Sequence, residues 1–155
     1  RPDVAISGDF IVGFPGETED DFQKTLNLCN QVQYAQAFSF KYSSRPGTPA
    51  AELEDIEEEK KSSRLLRLQN LLTEQQKSFQ RHMIGKSYPV LIEKKGKELG
   101  QVVGRSPYLQ PVFLQGSSDL LGKIISVEMK SCRTNSLEGK IAQNFKTKLL
   151  SKSPI

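Results

Sequence analysis

The chain has 155 residues, room for one domain or two small ones, and a formal net charge of +4. No apolar run reaches the length of a membrane-spanning helix. The two cysteines, Cys29 and Cys132, form no CxxC pair, so nothing reads as a disulfide framework, a zinc site or an iron–sulfur loop.

Charge is distributed unevenly. Residues 1–59 carry 4 basic and 12 acidic side chains, whereas residues 60–155 carry 18 basic and 6 acidic. A basic half beside an acidic one suggests a polyanionic partner, against the alternative that Lys and Arg merely solvate a surface. Arg1-Pro2-Asp3 does not read as a signal peptide, and a cytoplasmic chain with no membrane partner is expected.

Residues 4–12 predict a strand whose end, Phe10-Ile11-Val12, is apolar enough for a buried, parallel position. Thr18 is a candidate N-cap with Asp21 three residues on, and Glu19, Asp20 and Asp21 suit the positive end of a helix. Phe22, Leu26 and Cys29 form that helix's stripe, which ends near Gln31. A second strand is expected over 35–42, with Phe38 and Phe40 on one face. Strand, helix, strand in so short a span implies a parallel crossover, which sets the 13–17 loop beside the 42–49 loop. Two strands do not complete a doubly covered sheet, so the remainder of this domain is expected upstream.

Arg45-Pro46-Gly47-Thr48 fits a type II turn. A long helix follows over 57–83, with Leu65, Leu68, Leu72, Gln75, Phe79 and Met83 on one stripe. Its terminal charges, and His82 near its end, read as helix-end electrostatics. Gly85 stops the helix and the period becomes two. Short strands over 88–93, 100–104, 112–115, 123–130 and 137–142 have the spacing of a small antiparallel barrel. Residues 146–155 lose all periodicity, and a flexible tail is expected there.

Two regions carry candidate chemistry. Gly13-Phe14-Pro15-Gly16-Glu17 lacks the spacing of a P-loop or of a dinucleotide fingerprint, and its acidic helix start disfavours phosphate. Glu17 could accept from hydroxyls or an ammonium group while Gly13 and Gly16 let a ring approach; a tight turn that needs two glycines is the plainer alternative. Asp9, polar among apolar neighbours, and Arg45, held in a Pro/Gly turn, lie toward the same edge. In the barrel, Lys94-Lys95-Gly96-Lys97 makes a basic hairpin, and 104–112 sets Arg105 and Tyr108 in a rigid loop. Basic loops with an aromatic platform equip small barrels for nucleic acid, although Tyr108 as core filler remains open.

The segments Asp9-Phe10-Ile11-Val12-Gly13-Phe14-Pro15-Gly16-Glu17-Thr18 and Phe38-Ser39-Phe40-Lys41-Tyr42-Ser43-Ser44-Arg45-Pro46-Gly47-Thr48-Pro49-Ala50-Ala51 resemble the last two strands of the radical S-adenosylmethionine barrel in methylthiotransferases. Within that family they are most similar to the branch that adds a methylthio group to N6-isopentenyladenosine beside the tRNA anticodon. Residues 84–145 resemble its C-terminal TRAM domain through Gly104-Arg105-Ser106, Gly122-Lys123 and Asn135-Ser136-Leu137-Glu138-Gly139.

The resemblance implies an α/β remnant of a radical SAM (β/α)6 partial barrel over 1–83, the last two strands plus helices, followed by a small all-β, OB-like TRAM barrel. It implies S-adenosylmethionine against Asp9, Gly13, Gly16, Glu17, Tyr42 and Arg45. It implies RNA, as a tRNA anticodon stem–loop, on Lys86, Lys94, Lys95, Lys97, Arg105, Tyr108, Lys123, Arg133 and Asn135. The family reaction uses two [4Fe-4S] clusters, and the Cys-x3-Cys-x2-Cys motif that ligates one of them is absent from this sequence. The expectation is therefore a monomeric fragment without catalytic residues or metal ligands, inactive alone and retaining tRNA binding. A stand-alone TRAM RNA-binding module is the alternative, as is a sister methylthiotransferase acting on threonylcarbamoyladenosine in tRNA or on a ribosomal protein.

Overall fold

A computed structural model of the chain describes residues 1–142; the tail expected at 146–155 lies outside them. The chain divides into two compact units, residues 1–79 and residues from 80 onward. That division falls four residues before the expected barrel start at 84.

The first unit contains β1 (Ser7–Val12), α1 (Glu19–Val32), β2 (Gln36–Lys41), a short 3-10 turn at Pro49–Glu52 and most of α2 (Glu58–Met83). β1 and β2 pair in parallel, Ser7 opposite Gln36 and Val12 opposite Lys41. β1 is shorter than the expected 4–12 because β2 begins only at Gln36 and leaves residues 4 and 5 without a partner strand.

Thr18 caps α1 as expected. Its Oγ accepts from the Asp21 amide at 3.1 Å while the Asp21 carboxylate accepts from the Thr18 amide at 3.2 Å, a reciprocal box that satisfies two orphan donors. At the other end Gln33 turns into the left-handed region, φ 58°. Gln75 of α2 serves that terminus twice: its amide nitrogen donates to the Cys29 carbonyl at 2.8 Å, and its amide oxygen accepts from the Tyr34 N–H at 3.0 Å.

The core of this unit is Val12, Phe22, Cys29, Leu68 and Leu72, with Phe10, Leu26 and Leu65 packed against it. Among the described residues, helices cover only one face of the β1–β2 pair. The expectation of a strand end buried on both faces is corrected here: Ile11 is 62% exposed, and Phe38 and Phe40 are 54% and 56% exposed. In a parallel pair the register sets Ile11 beside Phe40 and Asp9 beside Phe38, so these side chains share the uncovered face.

The second unit is a closed five-stranded barrel of β3 (Ser87–Lys95), β4 (Gln101–Arg105), β5 (Pro111–Gln115), β6 (Ile124–Arg133) and β7 (Ser136–Ile141), ordered β3-β4-β5-β7-β6. All pairs are antiparallel except β5–β7, which is parallel, Val112 opposite Leu137. This corrects the expected all-antiparallel barrel. The cause is the connection: after β5 the chain runs through β6 before β7, so β7 returns along β5 in the same direction. Closure leaves no free sheet edge. Val90, Ile92, Val102, Val112, Leu114, Val127, Met129 and Leu137 fill the interior at period two. Gly104 is required where β4 crosses β3, since a Cβ there would lie 2.3 Å from the Leu91 carbonyl oxygen.

Candidate functional site

At the carboxyl ends of β1 and β2 the two loops meet as the crossover requires. The Tyr42 amide donates to the Val12 carbonyl at 2.8 Å, and the Phe14 and Tyr42 rings stand edge to face, centroids 5.1 Å apart. Gly13 (φ 73°) and Gly16 (φ 84°) both lie in the left-handed region. Gly13 is constrained a second way: a Cβ would sit 2.3 Å from Cγ of Lys61. The turn at 45–48 is type II as expected, with Gly47 at φ 81° and the Thr48 amide donating to the Arg45 carbonyl at 3.3 Å.

Glu17 and Glu19 at this edge are already engaged. One Glu17 carboxylate oxygen accepts from the Gly13 amide at 3.0 Å, and the other accepts from Nη1 of the buried Arg64 at 2.8 Å. Glu19 pairs with Arg67 at 2.6 Å, and the Arg67 hydrogen bond holds its carboxyl below the usual range. Buried Lys61 pairs with Asp55 at 2.8 Å and Glu58 at 3.4 Å. Thus the first turns of α2 neutralise the 13–19 segment, and Glu17 serves as the clasp of its own loop. Asp9 lies exposed on the open sheet face and Arg45 is exposed in its turn. The Tyr42 hydroxyl is buried and has no hydrogen-bond partner among the described residues.

The barrel carries a cleft of about 510 Å³. Lys94, Lys95, Lys97 and Arg133 line it, with Glu98 the one acidic side chain among the described lining residues. The strand register explains the gathering. A bulge between Ile92 and Lys94 sets Lys94 opposite Val103, and Val103 pairs with Phe113 on the next strand. Val103, Pro111 and Phe113 supply the apolar part of the lining. Arg133, at the end of β6, lays its guanidinium over the Phe113 ring, 4.4 Å from the centroid.

Four of the residues expected on RNA therefore converge in one cleft. Asn135 lies in the β6–β7 turn between two lining residues, Arg133 and Ser136. Lys86, just before β3, and Lys123, just before β6, are exposed but do not line the cleft. Arg105 and Tyr108 belong to a second feature. Oγ of buried Ser106 accepts from the Tyr108 and Gln110 amides at 3.3 and 3.2 Å, and Arg105 donates to the Leu109 carbonyl at 3.0 Å. The loop so fixed sets Tyr108 edge to face with Tyr88, centroids 5.7 Å apart, and burial pushes the Tyr88 phenol pKa up.

Phe113 escaped the sequence reading. It stands between buried Val112 and Leu114, so period two already placed it on the outer surface; a large aromatic at an outward barrel position was the available signal.

Residues 81–142 match the family model of the TRAM domain. The barrel is a TRAM domain. Its boundary agrees with the structural division at 79/80. A TRAM domain suggests RNA binding, and TRAM domains occur in tRNA-modifying enzymes. No helix among the described residues is long and apolar enough to cross a membrane.

Proposed function

We propose that this chain binds RNA through the TRAM cleft. The observation that carries the reading is the convergence of Lys94, Lys95, Lys97 and Arg133 around an apolar floor that includes Phe113. Cations at a cleft rim neutralise phosphates, and a flat aromatic floor offers a base something a simple polyanion would not use. Titration of the whole chain with a tRNA anticodon stem–loop tests this directly; binding that falls steeply with added salt supports it, and no binding at low salt overturns it.

The finer reading is that the chain is the C-terminal part of a tRNA methylthiotransferase acting on N6-isopentenyladenosine next to the anticodon. The parallel β1–β2 pair, its two adjoining loops and the TRAM barrel in this order support it. On this reading Asp9, Gly13, Gly16, Glu17, Tyr42 and Arg45 border S-adenosylmethionine, and the buried Tyr42 hydroxyl, without a hydrogen-bond partner among the described residues, is one polar group there with capacity to spare. Bound there, S-adenosylmethionine would supply the radical chemistry of the family.

The clusters do not fit the described residues. None of these form a group of three or more His, Cys, Asp or Glu able to hold a metal. Cys29 is buried in the first unit and Cys132 is half-buried in the second. Deleting the gene and measuring tRNA nucleosides by mass spectrometry tests the finer reading. Loss of the 2-methylthio mark supports it; an unchanged level overturns it and leaves the RNA-binding reading to the titration above.

A further inference from the structure

The cleft has two chemically distinct parts, and only one kind of RNA uses both. A duplex presents phosphates and sugars outward while its bases stay stacked on each other. It would engage Lys94, Lys95 and Lys97 and leave Val103, Pro111 and Phe113 facing a polar backbone. An unpaired nucleotide offers a phosphate and an exposed π face together.

From this we infer that the TRAM cleft takes a single-stranded RNA segment, with one base seated on the Arg133–Phe113 pair and the adjoining phosphates on the lysine hairpin. The inference rests on the RNA-binding reading above and adds the form of RNA and the seat of the base.

Four observations carry it. The cleft, about 510 Å³, falls within the roughly 300–1,000 Å³ typical of small-molecule sites, room enough for one base. The Phe113 ring is not core filler: its neighbours Val112 and Leu114 point inward and are buried, while Phe113 faces the outer side and is only partly buried. Arg133 already stacks on that ring at 4.4 Å, and a planar guanidinium stacks equally well on a base. Lys94 lies in the same cross-strand row as Phe113, each paired with Val103 between them, so the basic hairpin and the aromatic floor are two strands apart.

The test uses the full chain and three RNAs: a 12-nucleotide oligouridine, a 12-nucleotide oligoadenine and a 12-base-pair duplex, each titrated by fluorescence anisotropy. Both single strands are expected to bind more tightly than the duplex. Phe113→Leu, which keeps an apolar side chain but removes the ring, is expected to weaken single-strand binding about tenfold and duplex binding less than twofold. Phe113→Tyr is expected to retain single-strand affinity, with circular dichroism confirming that each variant folds.

A single strand carrying 2-aminopurine should be quenched by the native chain and not by Phe113→Leu. Equal affinity for duplex and single strand, or equal losses for both in Phe113→Leu, would overturn the inference while leaving RNA binding intact. Failure of the native chain to bind any of the three would overturn the inference, and failure to bind the anticodon stem–loop as well would overturn the RNA-binding reading.

Discussion

Arg64 donates through one guanidinium nitrogen to both the main-chain carbonyl and the carboxylate of Glu17, at 3.0 and 2.8 Å. The two residues are 47 positions apart, and this contact joins α2 to the loop that ends β1. Both side chains are largely buried, so the pair acts where water screens little. The 13–17 loop is therefore shaped from outside itself.

Removing one member of such a pair leaves the other without its counter-charge. Arg64→Met should destabilise the first unit by about 3 kcal/mol. Adding Glu17→Gln to that variant should recover part of the loss, because the amide keeps an acceptor for the Gly13 N–H without a stranded charge. Amide hydrogen exchange over residues 13–22 is the measurement, and unchanged protection in Arg64→Met would contradict the assignment.

The two glycines of the loop should respond differently to alanine. Gly16→Ala meets open space and bears only the left-handed backbone, a loss of about 1 kcal/mol. Gly13→Ala bears the same backbone cost and also drives a methyl into the Lys61 stem, so about 2 kcal/mol or more is expected. Truncating Lys61 to alanine should narrow the gap between the two. Thermal unfolding of the four variants checks this.

The Lys61 cluster sets a pH dependence whose sign is fixed by its shifts. Asp55 is held below the usual carboxylate range chiefly by the Lys61 hydrogen bond, and Glu58 chiefly by that of Lys41. Depressed carboxyl groups contribute stability above their unfolded values, about 4, and lose it as pH falls through the folded ones. Lys61 is raised, first by its Asp55 hydrogen bond, so its contribution is complete below about 10.5 and lost as pH rises through the folded value. The Tm difference between the native chain and Lys61→Met should then be largest between pH 5 and 9 and shrink on both sides. A difference independent of pH would contradict it.

How much of this was legible depends on the range of the interaction. The Thr18 cap, the type II turn at 45–48 and the stop at Gly85 are local, decided by residues within four positions, and the structure has each. The stripe Leu65, Leu68, Leu72, Gln75, Phe79 was also readable from its spacing. Its extension through Lys61 and Arg64 was not, because charged side chains count as surface until a partner from another element is known.

The parallel β5–β7 pairing was equally hidden: short strands at even spacing do not say which one closes the barrel. In the cleft the lysine hairpin was visible as a run of charge. Its meeting with Arg133 and Phe113 depends on strand register across β3, β4 and β5 and on the end of β6, which no single segment encodes.

The Ser106 hydroxyl gives a prediction for the second barrel feature. Ser106→Ala leaves the buried Gln110 amide without the side-chain acceptor it has now and should destabilise the barrel by about 1–2 kcal/mol. It should also loosen the 106–110 loop. If Tyr108 contributes to the RNA surface, the same variant weakens RNA binding two- to fivefold; intact affinity would confine the interface to the cleft.

The central claim, that the lysine hairpin of the TRAM cleft grips RNA phosphates, has a direct measurement in the salt dependence of affinity. The dissociation constant of an anticodon stem–loop should be followed against salt concentration for the native chain and for the triple variant Lys94→Gln, Lys95→Gln, Lys97→Gln. Each single-strand phosphate contact contributes about 0.7 to the log–log slope, so three should remove roughly 2 from it and weaken binding most at low salt. An identical slope and affinity in the triple variant would place the RNA elsewhere on the protein and contradict the account.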